Sequence, residues 1–136
     1  MGTSANFAGT PISAGGVVVT GDTSRSAPTT VVTIVPTSTS GCRIERLSFC
    51  AIGATTATFL RIFRYDGTNY RLKYEIVIPT QIPVLGVSSV WQGTLEAWSA
   101  PNDMPIILAS GDSLVATIND TQAGGGIAID ADVSIF

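Results

Sequence analysis

Apolar and β-branched residues alternate with Ser and Thr along nearly the whole chain, in short runs bounded by Gly, Pro, Asn and Asp. In an extended strand every second side chain points to the same face, so a period of two reads as half-buried β-structure. The runs Val17–Thr20, Thr29–Val35 and Cys42–Ala51 predict strands, the second closed by Pro36. Between Thr58 and Ile78 two apolar runs flank Asp66-Gly67-Thr68-Asn69, a hairpin signal because Gly accepts the positive φ that tight turns need. On the returning strand Leu72, Tyr74, Ile76 and Ile78 share one face and Lys73, Glu75 and Val77 the other, which predicts a single core face. The outgoing strand is apolar on both faces, Leu60 and Ile62 on one and Phe59, Phe63 and Tyr65 on the other, interrupted by Arg61. Such a strand is expected either at the centre of a sandwich or under a neighbouring subunit.

From Val84 to Trp98 the parity changes, with Trp91 and Leu95 on one face and Val90 and Trp98 on the other, so a bend near Gly93 or two short strands are expected. Met104–Ala109 and then Leu114, Ala116 and Ile118 follow, separated by the turn Ser110-Gly111-Asp112. The last strand sets Ile127, Ile129, Ala131, Val133 and Ile135 against Ala128, Asp130, Asp132 and Ser134. The fold expected is all-β, a β-sandwich or jelly roll of about eight strands without a fixed-period repeat. Residues 17–136 are expected to form its single domain. Met1–Gly16, rich in Gly, Ser, Thr, Ala and Pro, offers little to bury and is expected to be a flexible arm.

Composition narrows the kind of function. The 136 residues include no histidine, only 12% are charged and 45% are hydrophobic, and the mean hydropathy is +0.39. Histidine is the side chain most often used to move protons near neutral pH, so its absence points away from an enzyme and towards contact surfaces. So little charge on so apolar a chain is expected either with a Ser/Thr surface or with extensive burial in an assembly. No run approaches the roughly 20 apolar residues of a membrane-spanning helix. Met1–Ser13 carries no basic residue and no apolar run, so synthesis in the cytoplasm is expected. A pI near 4.6 with a single lysine argues against general nucleic-acid binding. Residues 43–75 hold six basic and three acidic residues, whereas Ile76–Phe136 holds six acidic and no basic ones. These groups either occupy separate faces or pair across strands.

Several local patterns carry possible chemistry. Gly111-Asp112-Ser113-Leu114 matches an esterase signature whose serine needs an imidazole base, which this chain lacks; a turn capped by Asp112 or Ser113 is expected instead. Gly124-Gly125-Gly126 leads into a strand and not into the helix a nucleotide loop requires. Asp130 and Asp132, with Asp112 or Asp120, offer oxygens to calcium, but outward-facing acids on a strand are expected to be simply solvated. Cys42 and Cys50 lie in one predicted strand, where about 3.3 Å per residue separates them by roughly 26 Å. Both are expected as buried free thiols, too few to bind zinc alone. Glu75 is expected to pair with an arginine across strands, not to work with Glu96 as a catalytic carboxylate pair. Trp91, Trp98, Tyr65, Tyr70 and Tyr74 are expected in the core or an interface, with a sugar-stacking platform as the alternative. Asn119-Asp120-Thr121 matches a glycosylation sequon without a secretion signal to support it.

Cys42–Glu75 resembles a family of small structural proteins of tailed bacteriophages. The resemblance rests on Arg43-Ile44-Glu45-Arg46-Leu47, Thr55-Thr56-Ala57-Thr58-Phe59-Leu60-Arg61-Ile62-Phe63, Tyr65-Asp66-Gly67 and Leu72-Lys73-Tyr74-Glu75-Ile76. It continues in Pro105-Ile106-Ile107-Leu108-Ala109-Ser110-Gly111-Asp112-Ser113-Leu114, and it assigns no functional residues. It implies a virion component, and the apolar strands suggest a capsid decoration or cement protein. The expected partners are the major capsid protein and copies of the chain itself as a homotrimer, with no cofactor, metal, nucleic acid or membrane. Arg61, Phe63 and Arg64 are the expected interface residues, with Trp91 and Trp98 beside them. A carbohydrate- or receptor-binding module of a tail or head fibre is the alternative.

Overall fold

A computed structural model of the chain describes residues 10–96 and 105–136. Among these residues there are nine strands and no helix: β1 (Thr10–Val18), β2 (Val32–Val35), β3 (Cys42–Ala51), β4 (Thr58–Tyr65), β5 (Tyr70–Ile78), β6 (Gln92–Glu96), β7 (Ile106–Leu108), β8 (Ser113–Ile118) and β9 (Ile127–Ile135). They form two antiparallel sheets packed face to face as a β-sandwich. The first sheet runs β1-β9-β3-β6, with β7 also on β3. Since β6 pairs with Arg46–Cys50 and β7 with Cys42–Ile44, the two are pieces of one interrupted edge. The second sheet runs β2-β8-β4-β5. Apart from the β4–β5 hairpin and the β6–β7 step, consecutive strands lie in opposite sheets, so the chain winds round the sandwich as in a jelly roll.

Alternation builds the core as expected. β9 buries Ile127, Ile129, Ala131 and Val133 while Asp130 and Asp132 face outward, and from the other sheet Leu60, Ile62, Leu114 and Ile118 close the layer between. The β4–β5 hairpin turns at Asp66–Asn69, where Asp66 accepts the Thr68 and Asn69 N–H groups. These two backbone donors hold its carboxyl below the usual aspartate value.

Three boundaries differ from expectation. Thr10–Gly16 is not a flexible arm, because β1 pairs with β9 from Thr10 opposite Ile135 to Val18 opposite Ile127. As an edge strand it is held by main-chain bonds to one neighbour, so the small residues Ser13, Ala14 and Gly15 suffice where burial of large side chains is not needed. Residues 1–9 of the expected arm lie outside the described residues. Val84–Val90 forms a turn instead of a strand, with pairing delayed to Gln92. Finally, Ile62 stands opposite Tyr74 but Phe63 opposite Leu72, so Lys73 is an extra residue, a β-bulge. The bulge moves Leu72 off the inward face it was expected to share with Tyr74, Ile76 and Ile78.

Candidate functional site

The outer face of the second sheet carries Phe59, Arg61, Phe63 and Tyr65 from β4, with Val115 and Thr117 of β8 alongside. The segment between β1 and β2 ties itself to this face. Its turn is organised by Asp22, whose carboxylate accepts the N–H groups of Ser24 at 3.0 Å, Thr29 at 2.7 Å and Thr30 at 2.8 Å. Those backbone donors, Thr30 foremost, lower its pKa. Arg61 is 1% exposed and donates to Glu75 at 2.8 Å, to the Asp22 carbonyl at 3.3 Å and to Asn119 Oδ1 at 3.0 Å. Arg25 closes the clamp from outside, bonding Glu75 at 2.7 Å, and both guanidinium groups lie 5.8 Å from the Phe59 ring centroid. Held by Arg25 and then Arg61, Glu75 has its pKa lowered from 4.5 to about 2.

This arrangement corrects the expected interface. Arg61 and Phe63 are both fully buried within the chain: the segment between β1 and β2 covers Arg61, and Phe63 meets the Tyr70 ring edge-on with centroids 6.1 Å apart. Arg64 is half-exposed and paired with Asp112 at 3.0 Å. Trp91 is half-buried against the core, its ring 6.4 Å from that of Phe49. Trp98 lies outside the described residues. The charges of the two chain segments interleave where Arg64 pairs with Asp112 and Arg46 stands opposite Asp132 in register, while Arg61 pairs with Glu75 within the first segment. Separate positive and negative faces are not formed by these residues.

The motifs with possible chemistry resolve into structural roles. At the esterase-like sequence Gly111 has φ +86°, Asp112 accepts the Ala109 N–H and the Arg64 guanidinium, and buried Ser113 opens β8. Asp112 and Asp120 lie at opposite ends of β8, while Asp130 and Asp132 point outward from the other sheet, so the four carboxylates do not converge. Among the described residues no three His, Cys, Asp or Glu side chains are grouped closely enough to hold a metal ion. Both cysteines are free; Cys42 is buried, which pushes its thiol pKa up, but Cys50 is exposed, against the expectation that both would be buried. Cys50 faces outward beside Ser48, Gln92, Thr94, Ala128 and Asp130, lining an open groove of about 660 Å³. Asn119 spends its amide on Arg61 and Asp120, which leaves the sequon side chain engaged. The aromatic residues do not form one platform: Tyr74 packs on the core, whereas Tyr65 and Tyr70 stack on the outer face with ring centroids 4.2 Å apart. That pair borders a groove of about 320 Å³ with Thr33, Pro36 and Ser113.

One surface escaped the sequence reading. At the end of the sandwich where β1, β3, β5 and β8 finish, the β3–β4 and β5–β6 connections, 52–57 and 79–91, contain no charged residue, while the β8–β9 connection carries the exposed Asp120 and the β1–β2 connection carries Asp22. Ile52, Ile82, Val84, Leu85 and Val87 are exposed there, Leu85 fully. The turn that presents them is firmly built. Val84 and Ser88 exchange backbone hydrogen bonds at 3.0 and 2.9 Å, and Ser88 Oγ donates to the Ile82 carbonyl at 3.0 Å. Gln81 pairs with Thr55 through the backbone and donates from Nε2 to the Ser89 carbonyl at 2.6 Å. Gly86, with φ +74°, supplies the left-handed position at the tip. The signal was present in the chain as an uncharged run from Ile76 to Leu95, but alternation alone read part of it as a strand. No protein-family model, curated protein or solved structure matches this chain.

Proposed function

We propose that the protein is a structural component of a tailed-phage virion, a decoration or cement protein that binds the outside of the capsid and covers or stabilises the shell through protein–protein contacts. It is made in the host cytoplasm, and its partners are the major capsid protein and further copies of itself, assembled as a homotrimer. The observation that carries this reading is the uncharged β5–β6 connection, where a hydrogen-bonded turn holds Leu85 and its apolar neighbours in solvent. Exposed apolar surface that is also ordered costs little to bury and gains roughly 25 cal/mol per Å² removed from water. The segments that resemble phage structural proteins fall on β3, β4, β5 and the β7–β8 turn, so the resemblance follows the framework of the sandwich. Jelly rolls occur in viral capsid proteins and in lectins alike, so the architecture supports the reading by analogy only.

The test is binding of the purified full chain to capsids that lack it. Saturable co-sedimentation at a fixed ratio to the major capsid protein is expected; a chain that stays in the supernatant at all concentrations contradicts the proposal. A second reading, a carbohydrate-binding module, is favoured by the stacked Tyr65 and Tyr70 beside the hydroxyl-lined groove. It predicts glycan binding that Tyr70→Ala removes while capsid binding persists.

A further inference from the structure

We infer that residues 22–30 form a preassembled strap that swings off the outer face of the second sheet as a unit while the sandwich stays folded. The strap is built by its own polar groups. The Asp22 carboxylate accepts the N–H groups of Ser24, Thr29 and Thr30, and Ser24 Oγ accepts those of Ser26 at 3.3 Å and Ala27 at 2.9 Å. Two side chains thus satisfy five backbone donors inside the loop, so its shape does not need the sheet beneath it. Its hold on the sheet is slight by comparison. Of residues 22–30 Pro28 alone is buried, and six are exposed. Among the described residues its polar contacts with β4, β5 and β8 are the exposed Arg25–Glu75 pair at 2.7 Å, the Arg61 bond to the Asp22 carbonyl at 3.3 Å, and the Asp22 N–H bond to the Ile118 carbonyl at 2.7 Å, which pins the root. An ion pair in water holds weakly.

Closure also has a cost underneath. Arg61, 1% exposed, gives up the hydration of a full charge, and beside it in register on β8 the Thr117 hydroxyl is buried with no hydrogen-bond partner. Both disfavour the sealed state and are relieved when water reaches the face. The Arg61 bonds to Glu75 and Asn119 belong to the sheet and survive opening; only the one to the Asp22 carbonyl is lost, and water can replace it. Strong internal bonds, a weak outer latch and a polar surface below together separate the strap from the cooperative core, as a low-energy local opening requires. Arg25 is the latch: it grips Glu75 from outside and lies 5.8 Å from the Phe59 ring centroid. Once it lets go, Arg61 and Thr117 are presented to solvent on a face that the closed chain hides.

The experiment is maleimide labelling of the full chain in a Cys50→Ser background, which removes the exposed thiol. Thr117→Cys places a thiol under the strap, and native Cys42, buried in β3, reports opening of the core in the same molecule. The introduced thiol is expected to react about tenfold or more faster than Cys42, and Arg25→Ala to speed it by a further factor of about two to five while the Cys42 rate stays the same. Equal rates at the two thiols overturn the inference, as does an Arg25→Ala protein whose introduced thiol keeps its rate. Should Thr117→Cys fail to fold by circular dichroism, exchange of the Arg61 Nε–H, followed by NMR in wild type and in Arg25→Ala, decides the matter. Exchange faster than the core amides of β3 and β9, and faster again in Arg25→Ala, supports the strap; exchange only together with those amides overturns it.

Discussion

Arg61 satisfies acceptors from three parts of the chain, the Glu75 carboxylate on β5, the Asn119 amide after β8 and the Asp22 carbonyl before β2. Removing its guanidinium leaves those groups to be resatisfied beneath the covering segment. Arg61→Ala is therefore expected to cost about 3 kcal/mol in chemical denaturation. Phe63→Ala should cost about 3–5 kcal/mol in the same assay, as an interior substitution and not as an interface one. Glu75 makes the clamp pH-dependent. Its folded-state pKa of about 2 lies below the ordinary 4.5, so folding favours the ionised form. That contribution is complete above about 4.5 and is lost as pH falls towards about 2. Denaturation midpoints measured across this window should fall for wild type and fall less steeply for Glu75→Gln. The sequence made Glu75 legible as the partner of an arginine across strands. It did not reveal that Arg61 was buried, because the segment that covers it joins β4 only in three dimensions.

At the scale of elements, alternation located β3, β9 and the β4–β5 hairpin, whose large inward side chains repeat every second residue. It failed for β1, where an edge strand rests on backbone pairing, and for the bulge at Lys73, which no side-chain pattern marks. β5 is also an edge strand, and Arg71, Lys73 and the bulge guard its open side against further strand addition. The Gly-rich connection between β8 and β9 has a geometric reason. Gly126 has φ +87°, and a Cβ there would run into the Val18 carbonyl at the end of β1. Gly126→Ala should lose about 1–3 kcal/mol of stability, read from the urea midpoint. Loss of the whole segment 1–16, once expected to be a free arm, would strip most of β1 from β9. A fall in thermal midpoint after that deletion is expected from the strand alone, whatever happens to partner binding.

For the whole molecule, polarity is distributed by position along the sandwich. The second sheet carries the ion pairs Arg61–Glu75 and Arg64–Asp112, whereas the uncharged connections 52–57 and 79–91 gather at one end, with Asp120 beside them. Composition announced a surface poor in charge, but only the winding of the chain brings residues 52–57, 79–91 and 121–126 to the same end. That convergence underlies the account in which the protein works by being buried against other proteins. Reconstruction of purified virus particles by electron cryomicroscopy tests this most directly. The account predicts many copies of the sandwich on the capsid, each with Leu85 enclosed by a neighbouring protein; particles that lack the chain, or that leave the Leu85 turn in solvent at every copy, would contradict it.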